Sequence, residues 1–432
     1  MNNERYATPE KGSLEWHVPL NENFEKLSRD VEVRDVKANR TNYAPTAGAL
    51  FRATDTGEVF YGDGSQWTAL NPPNESPETT GVGGYVSAES YGLSSAADPE
   101  QNADALRTAI ESNDVVYLPA GTYVCDAVET WNTGNTTIFG RGTLKASPDV
   151  DEWDHFLRFR GGENLVLDGL TIDGDRDDDT GRGAVRFENV TAATVKNCEV
   201  KNWQDHDGTT DQPHAVNFVG CRGVWATDNH VHHVGAKGIN AYARNSDPID
   251  GVVFRGNYVH DTGEEALFCG SEVNTAENPA RFIVEGNHLR DNRSQYLVRV
   301  AGDGGENHTI IANNTALDAS TAAYNYKTSN VTASSVVVAN NVYRGGGRAG
   351  ISVQSTGGGH LAATVTGNRI AGHRGDGILF ESGCKNVLCY GNYSNGIRST
   401  DTESALVFGN MTYGYGLDLD GWNVEEQLNL AV

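Results

Sequence analysis

One short motif recurs ten times between residues 165 and 412: an apolar or β-branched run, then Gly, Asn or Asp, then usually Asn, one further residue and an apolar residue. It reads LVLDGLTI, TVKNCEV, WATDNHV, VFRGNYV, IVEGNHL, IIANNTA, VVANNVY, TVTGNRI, LCYGNYS and LVFGNMT. Its second key position falls at Leu170, Cys198, Asn229, Asn257, Asn287, Asn314, Asn341, Asn368, Asn392 and Asn410, with spacings of 28, 31, 28, 30, 27, 27, 27, 24 and 18 residues. A unit of this length cannot bury its apolar side alone, so neighbouring units must stack. The runs are rich in Val and Ile and bounded by Gly and Asn, which specifies short strands and not helical heptads. Wound as coils, counterpart strands would lie in parallel ~4.8 Å apart. Asn at a sharp bend tolerates the left-handed conformation and can bond to its counterpart one coil away. Gly before it supplies positive φ where that is needed. Eight Asn in file therefore predict an internal amide ladder. Unrelated surface turns would not keep this period.

Ahead of the repeats the chain divides into smaller zones. Leu20, Phe24, Leu27 and Val31 are spaced 4, 3 and 4 residues apart. That pattern predicts one amphipathic helix over 18–39, either packed on a neighbour or paired as a short coiled coil. Residues 48–70, GALFRATDTGEVFYGDGSQWTAL, carry turns at Asp55-Thr56-Gly57 and Gly62-Asp63-Gly64 between aromatic and β-branched runs. A three-stranded meander follows, too small to hold much core by itself. Residues 72–82 read as a Pro-rich, acidic linker. Beyond them, NADALRTAI (102–110) predicts a short helix, followed by VVYLPAGTYV (115–124) and TTIFGRGTL (136–144). This order resembles the opening of the pectate-lyase-like right-handed parallel β-helix family. The expected fold is all-β: a right-handed parallel β-helix over 83–432, its N-terminal cap at 83–148, preceded by a helix-plus-meander module at 1–71. The meander, of the form LFxATDTGxxxYxDGxxW, resembles small β modules of viral tailspike and tail-fibre proteins.

Charge narrows the partners. The chain has 58 acidic and 33 basic residues, a net charge of −25, and only nine Lys. Such a chain lacks the basic patches that phosphate backbones or anionic lipid require. No apolar run is long enough to span a bilayer, so neither nucleic acid binding nor membrane insertion is expected. Dispersed carboxylates with Arg replacing Lys suit a salt-rich setting, where the Debye length shrinks to ~3 Å at 1 M. That points to a halophile or its virus; a cation-loaded site or a basic partner is the other reading. The six Cys form no zinc pattern and read as buried free thiols. The opening MNNERYATPEKG lacks the apolar core of a secretory signal, so the protein is expected to stay in the cell or leave it within a virion.

Chemistry concentrates in three coils. Asp205, His206, Asp207, Asp211 and His214 lie in one long excursion between strands. One coil later come His232, His233 and Lys237, and then His260, Asp261, Glu264 and Glu265. Six of the 12 His fall between 206 and 260. Resemblance to the β-helix family implies polymer binding along one lateral face, where its lyases, hydrolases and epimerases carry their acids. The catalytic candidates are Asp205, Asp207, Asp211, His214, Lys237, Glu264 and Glu265. Paired carboxylates would suit glycoside hydrolysis, and a carboxylate-bound Ca²⁺ with a Lys or His base would suit β-elimination of uronic acids. A hydrated acidic surface is the alternative. Asp173, Asp175 and Asp177 match the first ligand positions of a Ca²⁺ loop, but Asp178 stands where Gly is needed and Ala184 where the closing Glu belongs. That break favours a solvated loop; no cofactor is required, and Ca²⁺ is the one cation the pattern admits. Signature segments of polygalacturonases are absent, and TTDQPH (209–214) echoes the mannuronan-epimerase YGFDPH only faintly.

Three functions follow as expectations. The first is a tailspike-like virion appendage that recognises a host cell-surface glycan or glycoprotein, joined to other virion proteins through residues 1–71 as a homotrimer. The second, compatible with it, is a polysaccharide lyase or glycoside hydrolase. The third is a β-helix surface or binding protein of a salt-loving host.

Overall fold

The computed structural model describes residues 32–45, 50–54, 59–62, 65–69 and 84–431, apart from 149, 151–154, 175–182, 204–212, 245–246, 276–277, 294–295, 304–305, 320, 330–333, 346, 357–360, 382, 422–423 and 428. The chain divides into two compact units, Met1–Thr80 and Gly81–Val432.

In the first unit, strands Leu50–Ala53, Val59–Gly62 and Trp67–Ala69 form the antiparallel meander. A fourth strand, Glu32–Asp35, pairs in parallel with Leu50–Ala53. Phe51, Ala53 and Phe60 make its core, with Tyr43 and Trp67 packed against them. The helix expected over 18–39 is corrected in its described part. Residues 32–35 are a strand and Lys37–Asn42 is a 3₁₀ helix, because pairing with 50–53 outweighs helical spacing in so short a stretch. Leu20, Phe24, Leu27 and Val31 lie outside the described residues, as does the linker at 72–82.

The second unit is a right-handed parallel β-helix of about 10 turns. It opens on helix α1, Pro99–Ser112, whose N-cap Asp98 accepts from the Gln101 amide at 2.9 Å. Leu106, Ala109 and Ile110 bury the apolar side of α1 against the first coils. A typical coil then has three strands, such as Gly183–Glu188, Thr191–Lys196 and Glu199–Trp203. The second strands stack into one 14-stranded sheet; first and third strands make up the other two faces, 23 strands in all. The inter-coil pairings are parallel and, apart from register shifts at Leu361/Ala362, Ser394/Gly396 and Ser399/Thr402, residue-for-residue, so a side chain meets its counterpart one coil on. Phe159, Phe187 and Phe218 stack inward on this register with ring centroids 5.1 Å apart.

The tight bend between second and third strands holds the amide ladder. Asn229, Asn257, Asn287, Asn314, Asn341, Asn368, Asn392, Asn410 and Asn429 stand in file, each Nδ2 donating to the next Oδ1 at 2.9–3.0 Å. From Asn257 on, each Oδ1 also accepts the backbone amide of the preceding Asn at 2.9–3.1 Å, and the Asn229 Oδ1 accepts that of Cys198 at 3.0 Å. The second Nδ2 hydrogen goes to a carbonyl one coil back, as from Asn257 to Ala226 and from Asn287 to Phe254. Both acceptor sites and both donor hydrogens of an interior amide are thus used, which lets a polar row sit in an apolar core. The left-handed residue is not the ladder Asn but the one before it: Asp228, Gly256, Gly286, Asn313, Asn340, Gly367, Gly391 and Gly409 all have φ near +60°, as does Asn197 before Cys198 at the equivalent place one coil earlier. That residue turns the backbone and so aims the Asn that follows into the core.

All six Cys are free and buried. Burial pushes the thiols of Cys125, Cys221, Cys384 and Cys389 up to about 12 and that of Cys198 to about 11. Trp203, Tyr324, Tyr326 and Tyr343 are core residues, whereas Trp131, Trp225 and Tyr393 are exposed.

Candidate functional site

The residues expected to form one cluster separate into two, because a corner of the coil falls between them. Asp205, His206, Asp207, Asp211, Asp175 and Asp177 lie outside the described residues. Asp173 is described: it pairs in register with Lys201 and accepts from the Asn202 side chain at 2.9 Å.

The first cluster sits where the chain turns from the third strand of one coil into the first strand of the next. Lys237 lies in such a turn, and Glu264 and Glu265 lie in the equivalent turn one coil on. The Lys237 ammonium is bonded to Glu264 and lies 3.5 Å from Glu265. Glu265, 5% exposed at its side chain, also accepts from Arg299 at 3.2 Å. Both cations lie by the ring of Phe268, at 5.4 and 5.9 Å from its centroid. His214 joins them, accepting from the Lys237 backbone amide at 3.2 Å. Of the seven catalytic candidates, the structure therefore brings four together: His214, Lys237, Glu264 and Glu265.

This cluster borders the outward row of the first strands. The core-facing Phe159, Phe187 and Phe218 leave their strand neighbours pointing away from the core. In register these are Glu129, Arg158, Arg186, Asn217, Asn240, Phe268, Arg299, Asn325 and Ser352. A parallel row holds Trp131, Arg160, Glu188, Val219 and Tyr242. Glu188 is bonded to Arg186 and lies 3.0 Å from Arg158 and 3.4 Å from Arg160. Burial would raise the Glu188 carboxyl, but the surrounding guanidinium groups hold it below the usual range. Burial pulls Arg186 down from its usual value. Trp131, 60% exposed, is stacked by Arg160 at 4.7 Å. The side-chain oxygens of Asn217, Asn240 and Asn325 are buried with no hydrogen-bond partner among the described residues. The first face is thus a file of guanidinium, amide and aromatic groups, a chemistry suited to sugar hydroxyls and ring faces.

The second cluster lies on the third strands. Glu199, His230, Tyr258 and His288 share one outward row, and Lys201, His232, His260 and Arg290 share the next. Tyr258 stacks on His230 at 5.0 Å, and His232 on His260 at 5.1 Å with rings within 5° of parallel. Burial and the nearby His232 and His260 hold the His230 imidazole below its usual value. Burial would raise Asp261, but its bond to His260 and the charge of His233 hold it low. His230, Tyr258 and Glu199 carry no separate motif; only the two-residue strand period places them beside the histidines.

The family described as "Right handed beta helix region" matches residues 214–394. No curated protein matches the chain. Among solved structures, PfbA, a surface adhesin of Streptococcus pneumoniae, is 14% identical, with 80% of this chain and 93% of that chain covered and a TM-score of 0.53. The A-module of the Azotobacter vinelandii mannuronan C-5 epimerase AlgE6 is 15% identical over 80% of this chain and 99% of that one, at TM-score 0.52. The catalytic unit of a GH87 alpha-1,3-glucanase from Streptomyces thermodiastaticus is 14% identical over 81% of this chain and 70% of that one, at TM-score 0.51. At these identities the likeness is one of fold.

Proposed function

We propose that this protein is a virion surface appendage whose β-helix grips a host cell-surface glycan along the first face. The observation that carries the reading is the first face, where exposed Trp131 is stacked by Arg160 in one row and half-buried Phe268 and Arg299 sit in the next beside the ionic cluster of Lys237, Glu264 and Glu265. Extended polymers suit a long lateral face of this kind, because each coil offers a further outward side chain one strand spacing on. The fold neighbours named as a surface adhesin and as polysaccharide-acting enzymes support a role at a cell envelope. The meander unit, with three buried residues as its core, would gain from burial in a trimer with other virion proteins.

The test is twofold. Full-length protein should bind host envelope polysaccharide, and Trp131→Ala and Phe268→Ala should each weaken binding by about tenfold, as loss of a buried aromatic contact does. Antibody to the chain should detect it in purified particles. Wild-type binding by both variants would overturn the face assignment, and absence from particles would overturn the virion role. A second reading, glycan cleavage, rests on the two carboxylates that share Lys237. It requires release of oligosaccharides from host envelope, with loss in Glu264→Gln, Glu265→Gln or Asp207→Asn.

A further inference from the structure

The imidazoles of the third face have an arrangement that glycan binding does not use. One donor atom each from Glu199, His230 and His232 lies within 4.8 Å of the other two. The Glu199 Oε1 is 3.2 Å from His232 Nε2 and 3.9 Å from His230 Nδ1. Donors on a tetrahedral ion with bonds of ~2.0–2.1 Å stand ~3.4 Å apart, so small side-chain shifts close the triangle. The other carboxylate oxygen, Oε2, is held by Lys201 at 2.9 Å, which leaves Oε1 for the ion.

The outer nitrogens complete the case. A metal-bound imidazole is oriented when its remote N–H has an acceptor. His230 Nε2 lies 3.0 Å from His260 Nε2, and His260 Nδ1 lies 2.7 Å from Asp261 Oδ2. His232 Nδ1 lies 2.6 Å from His233 Nδ1, and His233 Nε2 is 3.9 Å from the same Asp261 oxygen. If His230 Nδ1 and His232 Nε2 carry lone pairs toward the triangle, both protons pass outward along His–His contacts; the chain through His260 ends on the Asp261 carboxylate, and the one through His233 reaches the neighbourhood of that same charge. A single tautomer assignment satisfies all three hydrogen bonds. We propose that Glu199, His230 and His232 bind a late first-row divalent cation of the Zn²⁺ type, with His260, His233 and Asp261 as positioning residues. Two imidazoles and one carboxylate select such an ion over Ca²⁺ or Mg²⁺, which take oxygen ligands. The ion would tie successive coils together across the third face and leave a coordination position toward solvent, since His230 is 41% exposed at its side chain.

Full-length protein stripped with chelator and titrated with Zn²⁺ by calorimetry should take up one saturable equivalent, and Co²⁺ should give a visible ligand-field spectrum. Glu199→Gln and His232→Gln should each weaken Zn²⁺ binding by about tenfold or more, and Asp261→Asn by about tenfold, while Tyr258→Phe leaves it unchanged. Glu199→Gln alters a partly exposed carboxylate, so it remains informative if the His232 variant does not fold. Absence of saturable binding overturns the proposal, as does binding that survives Glu199→Gln or His232→Gln in folded protein.

Discussion

Asn287→Ala tests the stacking logic where it is most demanding. Asn287 is 1% exposed and stands in the middle of the amide file. Its Oδ1 accepts from the Asn257 amide at 3.0 Å and from Asn257 Nδ2 at 2.9 Å, and its Nδ2 donates to Phe254 O and Asn314 Oδ1 at 2.9 Å. Truncation orphans two donors of Asn257 and one carbonyl, whereas Asn314 Oδ1 still accepts the Asn287 backbone amide at 2.9 Å. At ~1–3 kcal/mol for each buried group left unpaired, and with some relief from a water entering the void, the loss should be about 3–5 kcal/mol. Asn429→Ala, at the half-buried end of the file, leaves groups that solvent can reach and should cost about 1 kcal/mol. Urea unfolding followed by far-UV circular dichroism gives the difference. Hydrogen exchange at the Asn257 amide locates it, which matters because a solenoid need not unfold in one step. Asn287→Asp sharpens the test. A carboxylate there faces the Phe254 carbonyl and Asn314 Oδ1 with no proton to give, so its folded-state pKa is raised above the unfolded value. The native state then binds more protons, and the variant should regain stability as pH falls toward 4. Equal losses for Asn287→Ala and Asn429→Ala, within about 0.5 kcal/mol, would refute the ladder as a load shared by fully paired interior amides.

Lys237→Met should lower stability by about 2–3 kcal/mol in denaturant melts, because among the described residues it leaves nearly buried Glu265 with Arg299 alone as a counter-charge. Arg281→Ala, which removes an exposed partner of Asp250, should change it by less than about 1 kcal/mol. His373 is 7% exposed, and neither ring nitrogen has a hydrogen-bond partner among the described residues; burial holds its imidazole below the usual value. Its contribution is full above the unfolded histidine pKa of ~6.5 and is lost as pH falls through the folded value, so His373→Phe should flatten the acid side of a Tm–pH profile. The six thiols should resist alkylation at pH 8 in native protein and all react in denaturant; rapid native labelling of any of them would contradict their burial.

The file of amides was readable in the sequence because one geometric demand repeats at every coil. Asn429 escaped notice for a physical reason: it follows Asn410 by 19 residues, and Leu428 before it is neither Gly, Asn nor Asp. The left-handed position was legible where Gly precedes the Asn, as at Gly256 and Gly286, but not where pairs such as Asn313-Asn314 and Asn340-Asn341 offer two residues able to adopt positive φ. Only the requirement that one of them point into the core decides between them. The same limit governs the site. Histidines crowd residues 206–260 in the sequence, yet adjacency there says nothing about direction. His230 and His232 face outward on a strand whose Val231 and Val234 are fully buried, the alternation shifting by one residue at His233, whose φ is +55°. Three residues after Val234 the chain has turned a corner, so Lys237 meets Glu264 and Glu265 beside the first face. A solenoid sequence therefore reports which residues recur from coil to coil, since that is set by the period. Which of two neighbouring polar residues shares a face with a third depends on where each corner falls, and the number of residues between one strand and the next varies from coil to coil, as between Trp203 and His214 and between Tyr242 and Asp250. Function in such a fold is carried by those departures from the repeat, where a pattern has the least to say.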